Sequence, residues 1–61
     1  MPPTPRERLI VAANAELGED TVAGLLEQEL DYEDLVMAVC AELFSIGFVD
    51  PEIWLQEHHI R

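Results

Sequence analysis

Nucleophilic side chains are few in this chain, and a domain this small rarely encloses a pocket in which paired carboxylates could act. The single cysteine, Cys40, stands in an apolar segment with no cationic neighbour in sequence that would stabilise a thiolate. The single serine, Ser45, lies outside any G-x-S-x-G pattern, and no glycine-rich phosphate loop is present. We therefore predict that the protein is not an enzyme and that Cys40 is a buried, unreactive thiol.

The two histidines make a poor metal site. His58 and His59 are adjacent, so on a helix their side chains point about 100° apart. Neither Glu52 nor Glu57 completes an H-E-x-x-H motif with them. The acidic stretch 27–34 does not match the D-x-D-x-D-G-x5-E pattern of a calcium loop. We expect solvent-exposed histidines near a helix end, and we predict no metal ion or other cofactor.

The most informative feature is the charge. The 61 residues include 13 acidic and 3 basic side chains, giving a net charge of −10, and lysine is absent. Between residues 9 and 60 there is no basic side chain apart from the two histidines. Such a surface repels nucleic acid but attracts cationic proteins and accelerates encounter with them. We predict a basic nucleic-acid-binding protein or complex as partner, and no direct binding of nucleic acid or membrane.

The acidic residues are densest between residues 27 and 34. Five carboxylates occur in these eight residues, on Glu27, Glu29, Asp31, Glu33 and Asp34. On a helix rising about 1.5 Å per residue they would provide one charge per about 2.4 Å, compared with about 1.7 Å along duplex DNA. This spacing favours a phosphate-like track that binds the partner. The competing interpretation is a solvated acidic face, because acidic residues also stabilise the first turns of helices.

Two aromatic residues are candidates to anchor such a partner. Tyr32 lies within the acidic stretch, and Trp54 lies in the last helical segment. Amphipathic aromatic side chains often dominate binding energy at interfaces. For Trp54 a place in the hydrophobic core is the alternative.

Capping signals predict where the helices begin and end. Thr4-Pro5-Arg6-Glu7 is typical of a capping box followed by a helix to about Leu17. A second helix should be capped by Asp20 or Thr21; Gly24 either weakens this helix by about 1 kcal/mol relative to Ala or marks a close helix crossing. Asp31 should cap a third helix that Gly47 ends, and Asp50-Pro51 should open a fourth toward His58. The predicted fold is all-α, a compact bundle of about four short helices.

The third helix is apolar nearly all round. Ten of the twelve residues from 35 to 46 are apolar, which predicts burial on most sides. A domain this small has little material to cover such a helix, and an uncovered face would be an association patch. Three arrangements remain open: a core helix only, a core helix that also forms a homodimer, or one that also offers a groove to another protein. Met37 and Phe44, seven residues apart, mark the possible dimer face.

A faint internal repeat suggests two similar helical hairpins. Leu9, Ala12, Ala15, Glu16 and Leu17 recur 26 positions later as Leu35, Ala38, Ala41, Glu42 and Leu43. Because Ala, Leu and Glu are common helix formers, chance is the alternative explanation. The helix count does not depend on the repeat.

Length and composition set the remaining expectations. The chain, residues 1–61, suits one small domain, and a hydrophobic content of 49% argues against an acidic disordered tail. The apolar run after Arg8 is too short for a secretory signal, so we expect a cytoplasmic protein.

In size and charge the chain resembles the small inhibitors that phages and mobile elements make against restriction or CRISPR nucleases, some of which mimic DNA. The resemblance covers no motif and assigns no residue roles. It implies an anti-restriction or anti-CRISPR type of inhibitor that blocks a basic nucleic-acid-binding surface. The alternative is a helical adaptor or structural assembly module that docks through the apolar third helix.

Overall fold

Four α-helices make up most of the computed structural model, which describes residues 2–60. They are α1 (Pro5–Leu17), α2 (Glu19–Leu26), α3 (Tyr32–Ser45) and α4 (Pro51–Glu57). No strand occurs between residues 2 and 60. The globule measures 33 × 25 × 19 Å. The prediction of an all-α bundle of four short helices is confirmed.

Three of the helices begin at the predicted caps. The side chain of Thr4 accepts a hydrogen bond from the Glu7 amide at 3.1 Å. The side chain of Asp31 accepts one from the Asp34 amide at 2.9 Å. At the start of α4 the carboxylate of Asp50 accepts one from a backbone amide two residues on, at 3.2 Å. Such caps are worth about 1 kcal/mol each because they satisfy amides that the first turn leaves without partners.

The predicted start of α2 is wrong. Neither Asp20 nor Thr21 is the cap, because α2 already begins at Glu19 and Gly18 is its N-cap. Gly18 has φ 91°, which lets the chain reverse within a single residue. Its amide donates to the Asn14 carbonyl at 3.0 Å, which closes α1, while its own carbonyl accepts the first hydrogen bond of α2.

Of the two interpretations of Gly24, the close helix crossing is wrong. Gly24 is exposed in α2, and a Cβ atom built on it would meet nothing within 4 Å. Space is therefore available for a larger side chain at this position.

The hydrophobic core is centred on α3, which packs against each of the other helices. Twelve apolar residues are buried, and none of the polar or charged residues described is buried with them. Helix α3 supplies four of the twelve: Leu35, Val36, Val39 and Leu43. Between residues 2 and 60 the core is thus built without any buried charged residue.

The expectation that α3 is buried on most sides is wrong. Met37 is 66% exposed and Phe44 67% exposed, and Ala41 between them is also exposed. The reason is the shortness of the other helices, which cover one side of α3 and leave the opposite side open. Cys40, expected to be buried, lies at the boundary and is half-buried.

The proposed repeat corresponds to the helix pairs α1–α2 and α3–α4. Leu9 and Leu35 are both buried at equivalent positions, and Ala15 and Ala41 are both exposed. Leu17 is half-buried, however, whereas Leu43 is fully buried. The duplication stays a prediction.

Candidate interaction surface

Nearly all the negative charge of the protein is at its surface. All thirteen acidic residues lie within the described range; twelve are exposed and Glu42 is half-buried. Exposed carboxylates keep much of their hydration and lie where a partner could contact them. A cationic molecule approaching from most directions would therefore meet negative charge.

The two arginines that the structure describes, Arg6 and Arg8, both contact the backbone. Arg6 is half-buried and donates from Nη1 to the Leu30 carbonyl at 3.5 Å. Arg8, also half-buried, donates to the carbonyls of Pro3 at 2.9 Å and His59 at 3.2 Å. Both arginines thus join separate parts of the backbone. Since Arg61 lies outside the described residues, no fully exposed arginine occurs between residues 2 and 60.

The acidic stretch 27–34, named here the acidic segment, is not a continuous helix. Helix α2 ends at Leu26, and residues 27–29 form a turn in which Glu29 has φ 53°. The amides of Gln28 and Glu29 donate to Leu25 and Leu26, three residues back. A helical rise therefore does not apply to residues 27–31, and the charge spacing derived from it is wrong there.

The acidic segment instead gathers its charges around the start of α3. Glu27 and Glu29 lie in the preceding turn, Asp31 is the N-cap, and Glu33 and Asp34 are in the first turn. All five residues are exposed. The amide end of a helix carries partial positive charge and stabilises such carboxylates. The structure thus places the five predicted residues around one helix end, where they also stabilise α3.

The two aromatic candidates have intramolecular roles. Tyr32 is half-buried and its hydroxyl donates to the Ile60 carbonyl at 3.3 Å, which holds the end of the chain against α3. Trp54 is 4% exposed and belongs to the core. Its ring centroid lies 4.8 Å from that of His58, with the planes at 55°. A partner could not reach Trp54 without disrupting the core, so Trp54 is not part of the contact surface.

The exposed apolar residues are concentrated in the second half of the chain. Six large apolar side chains are more than half exposed. Val11 is on α1, and the others are Met37, Phe44, Ile46, Val49 and Ile53. Met37, Ala41 and Phe44 lie four and three residues apart, which places them on one side of α3. The predicted dimer face is thus accessible; whether it forms a dimer stays a prediction.

An open groove of about 420 Å³, which no sequence motif predicted, lies along α1. It is lined by Pro3, Glu7, Arg8, Val11, Ala12, Ala15 and His58. The signal in the sequence was the spacing of Val11 and Ala15 on the side of α1 away from the core. Arg8 already binds two carbonyls. The groove thus offers mainly apolar contact.

Ser45 and the two histidines, the residues considered for catalysis or metal binding, are exposed. The Ser45 hydroxyl donates to the Ala41 carbonyl at 3.1 Å, one turn back in the same helix. His58 and His59 are exposed, as predicted. Among residues 2–60, no three His, Cys, Asp or Glu side chains are grouped so that they could hold a metal ion.

The chain matches no family model, no curated protein and no solved structure. Within the described range, none of the helices has the length and apolar character required to cross a bilayer. The surface of the protein is therefore the only guide to its function.

Proposed function

We propose that this protein is a non-enzymatic interaction module that binds the basic, nucleic-acid-binding surface of a target protein and blocks it. One observation carries the proposal: twelve carboxylates are exposed, while both described arginines are half-buried and donate to backbone carbonyls. The proposal places the protein in the cytoplasm, where such a target handles nucleic acid. Its mode of action would be that of the small anti-restriction or anti-CRISPR inhibitors of phages and mobile elements.

The mechanism is electrostatic competition. Lys and Arg side chains that normally contact phosphates would instead meet carboxylates of the acidic segment. The field of the whole molecule would accelerate encounter, and the local carboxylates would set the position of the complex. Nucleic acid and inhibitor would then exclude each other, because they use the same cations.

Capture from the lysate of its source cells tests the proposal. The tagged protein is incubated with lysate at low ionic strength, washed, and eluted with a salt step, and the eluate is identified by mass spectrometry. We expect a basic nucleic-acid-binding protein in the salt eluate, because screening weakens contacts between exposed charges. A variant with Glu33→Gln and Asp34→Gln should recover less of it. Recovery of only salt-resistant partners would contradict the proposal.

A second candidate function is supported by the exposure of Met37 and Phe44. A helical adaptor or assembly module would dock through this apolar side of α3, onto another protein or a second copy. Apolar docking changes little with ionic strength, so the same salt step separates the two functions. Sedimentation equilibrium of the purified protein tests the homodimer.

A further inference from the structure

The acidic segment and the exposed apolar residues share one side of α3. At 100° per residue, taking Met37 as 0°, Phe44 lies near −20° and Ala41 near +40°. Glu33 lies near −40° and Asp34 near +60° on the same scale. All five residues are exposed, whereas the four buried residues of α3 lie outside this arc, from about 160° through 180° to about −100°. We call these five residues the outer face of α3.

The outer face is divided along the helix axis. Carboxylates occupy its first turn, and apolar side chains follow over the next two turns. From Met37 to Phe44 the axis advances about 10 Å at about 1.5 Å per residue. A complementary surface therefore needs a short apolar stripe with positive charge at one end.

A second copy of this chain does not meet that requirement. It could bring its own Met37 and Phe44 to the interface, but it would also bring a further net charge of −10. Its Arg6 and Arg8 are half-buried and already donate to backbone carbonyls. Charge complementarity thus favours a different, basic partner.

We propose that the outer face of α3 binds one amphipathic α-helix of a basic partner protein, aligned antiparallel to α3. The inference rests on the proposed function, since the partner is the basic target. Apolar residues of the partner helix at positions i, i+4 and i+7 cover Phe44, Ala41 and Met37. Lys or Arg side chains in its last turn meet Glu33 and Asp34.

The antiparallel direction follows from the helix ends. Cations are favourable in the last turn of a helix, where the carbonyl groups carry partial negative charge. Antiparallel packing places that last turn beside the first turn of α3, where the carboxylates lie. Neighbouring helices packed this way also align their dipoles favourably.

The test is an NMR titration in which synthetic peptides are added to the nitrogen-15-labelled protein. The probe is a helical peptide with Leu at positions i, i+4 and i+7 and two Arg residues in its last turn. We expect it to shift the amide resonances of residues 33–44. Two control peptides, one with Leu→Gln and one with Arg→Gln changes, should each bind about tenfold more weakly, as loss of an interface anchor typically costs.

Matched variants of the protein localise the contact. Phe44→Ala should weaken binding of the probe peptide about tenfold, while Val11→Ala, which alters a similarly exposed side chain on α1, should leave it unchanged. Glu33→Lys with Asp34→Lys should also weaken binding. Glu19→Lys with Asp20→Lys is the control, because it places the same changes in the first turn of α2.

A nitroxide label on the peptide shows whether the bound helix runs antiparallel or parallel to α3. A label on its C-terminal residue should broaden the amide signals of Glu33 and Asp34 rather than those of Phe44 and Ser45. The opposite pattern would overturn the antiparallel arrangement.

Other outcomes overturn the docking site. One is that the probe peptide does not bind, and another is that it shifts only the amide resonances of the groove along α1. A third is that the amide resonances of Met37 and Phe44 shift with protein concentration when no peptide is present. The last would identify a second copy as the occupant. Capture of a basic, salt-released target whose binding is insensitive to Phe44→Ala would leave the proposed function intact and reject only this inference.

Discussion

At the scale of single residues, neighbours in α3 have opposite roles. Leu43 is completely buried in the core, and Phe44 beside it is 67% exposed. Asp31 combines two roles in one side chain, because it caps α3 and belongs to the acidic segment. Substitutions at these positions separate stability from binding.

Leu43→Ala should lower the free energy of unfolding by about 2–5 kcal/mol, because it removes buried methyl groups and leaves a cavity. Phe44→Ala should change it by less than about 0.5 kcal/mol, as is typical of exposed positions. Urea denaturation followed by circular dichroism measures both. Equal losses in the two variants would mean that Phe44 is part of the core.

Asp31→Ala should cost about 1 kcal/mol of stability by removing the cap, while Asp31→Asn keeps a cap acceptor and should cost much less. Both variants remove one negative charge, so both should bind the captured target more weakly at low ionic strength. Binding is measured by titration calorimetry.

The control for Asp31→Asn is Asp50→Asn, which makes the same change at the cap of α4, outside the acidic segment. Binding that falls in Asp31→Ala but not in Asp31→Asn would assign Asp31 a structural role only.

At the scale of helices, most boundaries could be predicted because their signals are local. Thr4, Asp31 and Asp50 each bind an amide two or three residues away, so the residue type in sequence is sufficient. The start of α2 could not be predicted in the same way. Asp20 and Thr21 resemble caps, but the positive φ of Gly18 brings the chain back into a helix before they are reached.

Gly24→Ala should stabilise the protein by about 0.5–1 kcal/mol, because Gly24 is inside α2 and its added methyl group meets no neighbour. Thermal unfolding measures the gain. Gly18→Ala is the contrasting variant and should destabilise the protein, since Gly18 has φ 91°. A loss of stability in Gly24→Ala would reveal a helix contact at this position.

At the scale of the whole molecule, the core is apolar and the acidic residues are at the surface. No polar or charged residue between positions 2 and 60 is buried, while twelve of the thirteen acidic residues are exposed. The composition predicted an acidic helical bundle, and the spacing of Met37 and Phe44 marked one possible open side of α3, but not that this side would be open. That depends on which helices pack against it, and residues 35–46 are too uniformly apolar to show it. The gathering of the acidic segment at one helix end also depends on the turn at Glu29.

Added salt should raise the stability of the isolated protein. At a net charge of −10 the carboxylates repel one another in the folded state, and counterions screen this repulsion. A gain of about 1 kcal/mol corresponds to an increase in Tm of about 4–8 °C for a domain of this size. Thermal unfolding across a series of sodium chloride concentrations measures the effect. A Tm that falls with salt would indicate stabilising ion pairs in place of net repulsion.

Displacement of nucleic acid tests the central claim most directly. A fluorescent duplex DNA is bound to the captured target, the protein is titrated in at low ionic strength, and fluorescence anisotropy reports the DNA that remains bound. The proposed blocking of a basic surface predicts full displacement, with higher concentrations needed for the variant with Glu33→Gln and Asp34→Gln. A ternary complex, in which the target holds DNA and this protein together, would contradict the account.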